Sequence, residues 1–403
     1  MSISCGHSHI KPLPDPAQVI KLETCHTGVI MEKEFFFRKE MIEQPQALLR
    51  TLKETDDQIQ ALAKEYARNI RQVILVGCGD PYMLGQAAVY AIENWLGIKA
   101  EAIEAAEFSL YRHTALDSQT LVIVITSSGK TVKALDAARL AKRAGAVTLA
   151  ITNLSGSPIS EEVHEVLQTR STPSNSFPTL TTTIALGALY NLVLYWAQRK
   201  GSLPENQIGA LRKELWEDIP RLVEHALVLE SEMKTLADKL KGAPIFTFIG
   251  SGPNLATAQL GAAKLKEISQ SRSEACNLEE YAHLFSLSIQ PGDPIFMITA
   301  DGPIDERNRM VAKFIQGMRG QLYVVGPQKL KAGWEALKVP YISVDDHTEM
   351  FAPIAAWIPL QLFAYHVSLG KGCNPDAPLN RGEMEPYIQK VIYTSLLDGW
   401  EKR

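Results

Sequence analysis

Two glycine turns, repeated at one spacing, constrain this chain more than any other feature. Gly77-Cys78-Gly79 closes the β-branched run Val73–Val76, and Gly250-Ser251-Gly252 closes the run Ile245–Ile249. An alanine-rich stretch with helical spacing follows each turn. Further on, Leu121–Ile125 leads into Gly129, and Pro294–Thr299 leads into Gly302. Gly77 and Gly250 stand 173 residues apart, and so do Gly129 and Gly302. Unrelated α/β domains share a strand–glycine–helix grammar, but nothing makes them share one offset at two turns. The spacing therefore reads as a tandem duplication of one unit. Short apolar runs that end at glycine and precede a helix pattern are strands buried on both faces. Strands alternating with helices predict an α/β fold: two tandem units, each a parallel β-sheet flanked by helices on both faces.

This organisation divides the 403 residues. An N-terminal extension covers 1–33. A helical lead segment covers 34–70, with Met41, Ile42, Leu48, Leu49 and Leu52 recurring at helical steps. The first unit is 71–200, a connecting helical segment is 201–241, the second unit is 242–375, and a tail is 376–403. Hydrophobic residues make up 46%, enough for a large core, and the net charge of −4 argues against a dedicated nucleic-acid binder. Cys5, Cys25, Cys78, Cys276 and Cys373 are too scattered for a disulfide framework, which predicts a reducing, cytoplasmic setting. The N-terminus has no cationic start followed by an apolar stretch. The apolar run Ile184–Ala197 is shorter than the about 20 residues a bilayer span needs. Pro353, Pro359, Gln361 and His366 interrupt Ala352–Leu369. Both runs are expected to be core helices, with no membrane segment. Cys5, His7 and His9 supply three candidate metal ligands near a terminus, short of the four a closed zinc site uses, so no metal is expected.

One loop stands out chemically. Thr126-Ser127-Ser128-Gly129-Lys130-Thr131 lies between a predicted strand and a predicted helix, Val132–Ala144. A helix N-terminus offers free N–H groups and partial positive charge, which suits an anion. Simple capping needs one hydroxyl, whereas this segment has four, so it reads as a phosphate-monoester loop. It is not a Walker A loop, because Val124 stands where the first glycine is required. Gly77-Cys78-Gly79 is not a dinucleotide fingerprint, because Tyr82 stands at the third glycine. That turn still offers backbone amides to a ligand. A hydroxyl-rich stretch, Ser171–Thr183, enters the apolar helix and is a second place where an anionic sugar could sit. In the second unit, Lys264 and Glu267 occupy neighbouring face positions on a predicted helix, and His283 follows later. Taken alone, such a carboxylate and imidazole are most often unrelated surface groups.

Together the motifs resemble the tandem SIS (sugar isomerase) domain family over about residues 34 to 380. The likeness is greatest to the isomerase half of glutamine:fructose-6-phosphate amidotransferases and to fructosamine-6-phosphate deglycases. The matching segments are Glu40–Pro45, Val76–Gly79, Thr126–Thr131, Lys264–Ser269, Ala282-His283 and Pro359–His366. The resemblance implies that Thr126, Ser127, Ser128 and Thr131 hold a sugar 6-phosphate. Cys78, Gly79, Asp80 and Lys264 would complete the substrate site. Glu267 would move a proton between C1 and C2 of the open-chain sugar, and His283 would assist ring opening. In this family that histidine reaches a site in the partner subunit, so a homodimer is implied. No cofactor or metal is required.

The chain also departs from the family pattern. Asp80-Pro81 replaces Thr-Ser, Lys130 replaces Glu, and Leu284-Phe285 replaces Gly-Pro. Asp80 beside a phosphate would be unfavourable, so it is expected to meet a hydroxyl or an amine. The stretch Asn380–Glu385 holds no lysine in register for an imine with a ketose, and Lys390 is out of register. About 33 residues precede the matched region, too few for a glutaminase domain, so glutamine hydrolysis is not expected of this chain alone. The implied function is action on a 6-phosphorylated amino sugar or fructosamine at C1–C2, as isomerase, deaminase or deglycase. The alternatives are a non-catalytic phosphosugar sensor and a subunit working with a separate glutaminase.

Overall fold

The structure is a computed structural model, and it describes residues 35–112, 115–171, 177–377 and 394–395. The N-terminal Cys5, His7 and His9, the stretch Asn380–Glu385 and Lys390 lie outside the described residues.

The first unit is a five-stranded sheet of β1 (Gln72–Gly77), β2 (Lys99–Glu104), β3 (Thr120–Ile125), β4 (Val147–Thr152) and β5 (Glu165–Gln168). The second is built from β6 (Phe246–Gly250), β7 (Ser273–Asn277), β8 (Pro294–Ile298), β9 (Gln321–Pro327) and β10 (Tyr341–Val344). The spatial orders are β2-β1-β3-β4-β5 and β10-β9-β8-β6-β7. Read from the other edge, the second order repeats the first strand for strand. All pairings are parallel. In this doubly wound order, the direction in which strands are added reverses between β1 and β3 and again between β6 and β8. Crevices open there at the carboxyl ends of the strands.

The apolar-run criterion finds β1, β3, β4, β6 and β8. It passes over the edge strands β2, β5, β7 and β10, where polar residues alternate into solvent, as in the KAEAIE of β2. It also misses interior β9, whose glutamine start and Gly326-Pro327 end shorten the run. The first helix begins at Asp80, not Leu84: Pro81 occupies the first helical turn and Asp80 places a carboxylate at the positive end.

The lead segment is one helix, Phe36–Asn69. Asp376, at the start of the tail, accepts from the N–H groups of Phe36 and Phe37 at 3.0 and 2.9 Å and so caps that helix. The hydrophobic core is continuous across both sheets. It joins Leu48 and Leu52 of the lead helix, Leu75 and Ile123 of the first sheet, and Phe248 and Phe296 of the second. Each such fully buried side chain contributes about 1.5–3 kcal/mol relative to exposure. Trp95 of the first unit meets Phe351 of the second at 5.7 Å between ring centroids. The apolar helices are longer than their apolar runs. Spans of 21 and 22 residues, Leu180–Lys200 and Glu349–Gly370, could cross a bilayer by length, but their apolar windows are 100% and 89% buried. Length does not decide the matter; burial makes them core helices.

Polar contacts fix how these helices meet. Gln44 donates to Gln361 Oε1 at 2.8 Å, Thr183 donates to Gln44, and Thr179 donates to Glu40 Oε2 at 3.0 Å. These join the lead-helix motif and the Pro359–His366 motif, whose sequences lie more than 300 residues apart.

Candidate active site

The loop Thr126–Thr131 leaves the carboxyl end of β3, beside the crevice between β1 and β3. Backbone bonds from β4 and beyond hold it. Thr126 N–H donates to Ile151 O at 3.0 Å, Asn153 N–H to Ser127 O at 3.0 Å, and Ile159 N–H to Gly129 O at 3.1 Å. Gly129 takes a φ of +63°, and a Cβ there would lie 2.1 Å from Ser157 Oγ. Only glycine fits both the left-handed conformation and the contact. The helix Val132–Arg143 follows, and its N-cap residue, Thr131, makes no side-chain capping bond. The Ser128 hydroxyl accepts from Lys130 N–H at 3.3 Å, a local turn bond and not a helix cap. Thr126 is 3% exposed, and its hydroxyl has no partner. The four hydroxyls are therefore not used up in capping.

The corresponding loop of the second unit differs. Thr299 occupies the position of Thr126 at the 173-residue offset. Its hydroxyl donates to Asp305 Oδ1 at 3.0 Å and accepts from Asn308 at 2.9 Å. Ala300 and Asp301, the latter paired with Lys329 at 2.5 Å, replace the serines. The orphaned hydroxyl and the serine pair belong to the first unit alone.

Across the crevice lies a buried ionic group. Lys264, on the helix Asn254–Ser269, is completely buried. Its ammonium donates to Asp80 Oδ2 at 2.7 Å and to Glu267 Oε2 at 2.6 Å. Asp80 comes from the first unit, and its side chain is 3% exposed; that of Glu267 is 29% exposed. Burial disfavours the Lys264 charge, but the two carboxylates outweigh it, so its pKa is raised above the usual lysine value. The ammonium also lies 5.9 Å from the centre of the Trp357 ring. Asp80 meets a hydroxyl and an amine that both come from the protein: Thr182 donates to Asp80 Oδ2 at 3.2 Å, beside the Lys264 ammonium.

Thr182 is the link to the phosphate-type loop. Its neighbour Thr181 accepts from Ser127 Oγ at 3.1 Å. Two hydrogen-bonded segments, Ser127 to Thr181 and Thr182 through Asp80 and Lys264 to Glu267, are therefore joined by the peptide link between Thr181 and Thr182. Sequence reasoning singled out Ser171–Thr183 as a hydroxyl-rich helix entrance where an anionic sugar could sit, without naming Thr182 as a partner of Asp80. The three consecutive threonines before an apolar helix were the available signal.

Two other expected residues sit differently. The Cys78 thiol turns to Glu104 at the end of β2 and donates to Oε1 at 3.3 Å. Burial and the Glu104 carboxylate push its pKa up to about 12, so it stays a neutral thiol. Gly79, at φ +64°, sets the turn into the helix Asp80–Leu96, and its carbonyl accepts from Tyr82 and Met83. His283 ends the helix Leu278–His283 and is exposed. Among the described residues no hydrogen bond joins it to Lys264 or Glu267. At the far end of the chain, Ser395 donates to Asp136 Oδ1 at 2.8 Å and Thr394 O accepts from Lys133. Both contacts fall on the helix that starts at the Thr126–Thr131 loop.

Comparison with known proteins agrees with this fold. Residues 67–194 match the SIS domain model. A glutamine–fructose-6-phosphate aminotransferase (isomerizing) of Clostridium tetani is 34% identical over 360 residues, covering 86% of this chain and 58% of that protein. The chain thus spans a little under three-fifths of the length of such relatives. The C-terminal domain of a glucosamine-fructose-6-phosphate aminotransferase from Francisella tularensis has the same fold. Its TM-score is 0.81 at 26% identity, covering 88% of this chain and 100% of that domain. A glucosamine-6-phosphate deaminase from Thermotoga maritima shares the fold at a TM-score of 0.66 and 21% identity, covering 85% and 97% of the two chains. Residues 67–194 thus carry the SIS domain match, and the second α/β unit repeats the strand order of the first.

Proposed function

We propose that this chain is a phosphosugar-processing enzyme acting at C1–C2 of a 6-phosphorylated amino sugar or fructosamine, as isomerase, deaminase or deglycase. The observation that carries the reading is the pair of hydrogen-bonded segments, joined at the Thr181–Thr182 peptide link, that leads from Ser127 to Glu267. It ties an uncapped, hydroxyl-rich helix N-terminus to a positioned carboxylate across one crevice. In this reading Thr126, Ser127, Ser128 and Thr131, with the first amides of the helix Val132–Arg143, take the phosphate. The amides of Cys78 and Gly79 face the sugar. Glu267 transfers the proton between C1 and C2. Lys264 holds the Glu267 carboxylate in place and supplies positive charge where an enediolate oxygen would develop. Asp80 keeps Lys264 charged and oriented. His283, exposed beside Leu284 and Leu287, fits a role in opening the sugar ring within a homodimer. Two of the proteins named above carry fructose 6-phosphate in their names and the third glucosamine 6-phosphate, which supports a hexose 6-phosphate among the candidates. The setting proposed is cytoplasmic, with no cofactor.

The sensor alternative draws on Asp80, which ties the ammonium into a closed ion group. One experiment separates the two. The protein is incubated in deuterium oxide with fructose 6-phosphate, glucosamine 6-phosphate and fructoselysine 6-phosphate, and exchange at C1 and C2 is followed by NMR. Exchange with at least one of them, abolished in Glu267→Gln with binding kept, is the expected result. Binding without exchange overturns the enzyme. Ser128→Ala with Thr131→Ala should weaken sugar phosphates far more than free sugars; equal loss for both moves the phosphate elsewhere.

A further inference from the structure

The second unit keeps its own crevice at the carboxyl ends of its strands, and it is chemically the opposite of the first. A cavity of about 500 Å³ is lined by Asp301 after β8, Lys329 after β9, and Asp346, His347, Thr348 and Glu349 after β10. Ala210, Glu214 and Asp218 of the connecting segment close its other side. No phosphate would be held there, because five carboxylates face a single lysine. Most of them are engaged. Asp301 pairs with Lys329 at 2.5 Å, Asp218 with Arg221 at 2.6 Å, and Asp346 accepts from Lys329 N–H at 2.9 Å. Glu214 accepts from the N–H and hydroxyl of Thr348, both at 2.6 Å. Glu349 has no hydrogen bond or ion pair among the described residues. Its carboxylate lies over the turn at Gly252, where an added Cβ would be 3.6 Å away.

A second, independent observation comes from His347. It is 8% exposed, and its Nδ1 donates to Asp345 O at 2.7 Å. That bond places the proton on Nδ1 and leaves Nε2 as an acceptor, and among the described residues Nε2 has no partner. Burial holds the imidazole below its usual pKa, against the opposing influence of Asp345 O, Glu214 and Asp346 and with the help of Lys329, so it is neutral at physiological pH. Burial, and after it the Asp301 carboxylate, raise the pKa of Glu349. An unused acceptor, an unpaired carboxylate and surplus negative charge in one cavity describe a receptor for a donor-bearing cation.

We propose that this cavity of the second unit binds a small molecule carrying a primary ammonium group, with Glu349 as its counterion and His347 Nε2 accepting one of its N–H bonds. The duplication then supplies two different sites: an anion loop in the first unit and an ammonium pocket in the second. An amino sugar and an aliphatic diamine share this chemistry, and the test separates them.

Isothermal titration of the full chain at near-neutral pH and physiological ionic strength would use glucosamine and 1,4-diaminobutane. Glucose and 1,4-butanediol serve as neutral controls. The expected result is saturable binding of at least one amine and none of its neutral partner. The amine that binds identifies the source. Binding should weaken at least about tenfold in Glu349→Gln and in His347→Gln, and persist in Ser128→Ala with Thr131→Ala. The carboxamide of Glu349→Gln preserves size, so loss of folding does not mask the result, and a melting curve of the variant checks this. The proposal is overturned if neither amine saturates, if the neutral analogues bind as well, or if Glu349→Gln binds as tightly as the native chain. It is equally overturned if binding is lost with the loop variants instead.

Discussion

Replacing Lys264 with methionine tests the ionic group that joins the two units. Lys264→Met preserves the length and apolar stem of the side chain but removes the ammonium. Asp80, 3% exposed at its side chain, then keeps only the Thr182 hydroxyl as partner. Breaking a buried pair by removing one member costs about 3–5 kcal/mol, because the surviving charge has lost both water and counterion. Asp80→Asn should cost less, about 1–3 kcal/mol, since Lys264 still has Glu267 and the new amide oxygen still accepts from Thr182. The double variant leaves only Glu267, which is 29% exposed and therefore hydrated, so it should be more stable than Lys264→Met alone. Urea unfolding followed by tryptophan fluorescence reads these differences, and Trp357, 5.9 Å from the ammonium, is a local reporter. The sign of the pH dependence follows from the raised lysine pKa. The stabilisation is fully present below the ordinary value of 10.5 and is lost as pH rises through the higher folded value. The gap between native and Lys264→Met should therefore be flat around neutrality and shrink only in strong alkali. If Asp80→Asn and Lys264→Met add to within about 0.5 kcal/mol, the two groups are not coupled and the reasoning fails.

Two further predictions concern the loops. Gly129→Ala forces a side chain into the left-handed region, costing about 1–2 kcal/mol, and adds the collision with Ser157 Oγ. Adding Ser157→Gly should recover only the steric part, and a destabilisation under about 1 kcal/mol for Gly129→Ala would show that the loop relaxes freely. For Glu349→Gln without ligand, the raised pKa means the folded state disfavours the carboxylate. That cost is present above the folded pKa and disappears as pH falls below the ordinary value of 4.5. Melting temperature should rise in the variant at neutral pH and converge with native in acid; no gain at neutral pH refutes the account of an unpaired charge.

Much of the site could be read before any tertiary structure. The strand–loop–helix placement of Thr126–Thr131 followed from a β-branched run, a cluster of hydroxyls and one glycine, all local in sequence. Lys264 and Glu267 fell on neighbouring helix positions by spacing alone. The role of Asp80 was narrowed to meeting a hydroxyl or an amine by charge alone. Yet its partner Lys264 is 184 residues away, and no local pattern could name it. The contact exists because the helices Asp80–Leu96 and Asn254–Ser269 meet across the junction of the units. Cys78 shows the converse: adjacent to Gly79 in sequence, its thiol turns away to Glu104 because the turn geometry directs it there.

The sequence by itself determined the α/β class, the doubling of one unit and the loop with unspent hydroxyls, because strand burial, helix spacing and glycine turns are written in neighbouring residues. It passed over the four edge strands, whose polar faces erase the apolar signal. Tertiary structure alone decided which unit keeps a hydroxyl without a partner and which acids find a lysine. Those outcomes depend on distance and burial between segments far apart in the chain, and they set the charge each crevice presents.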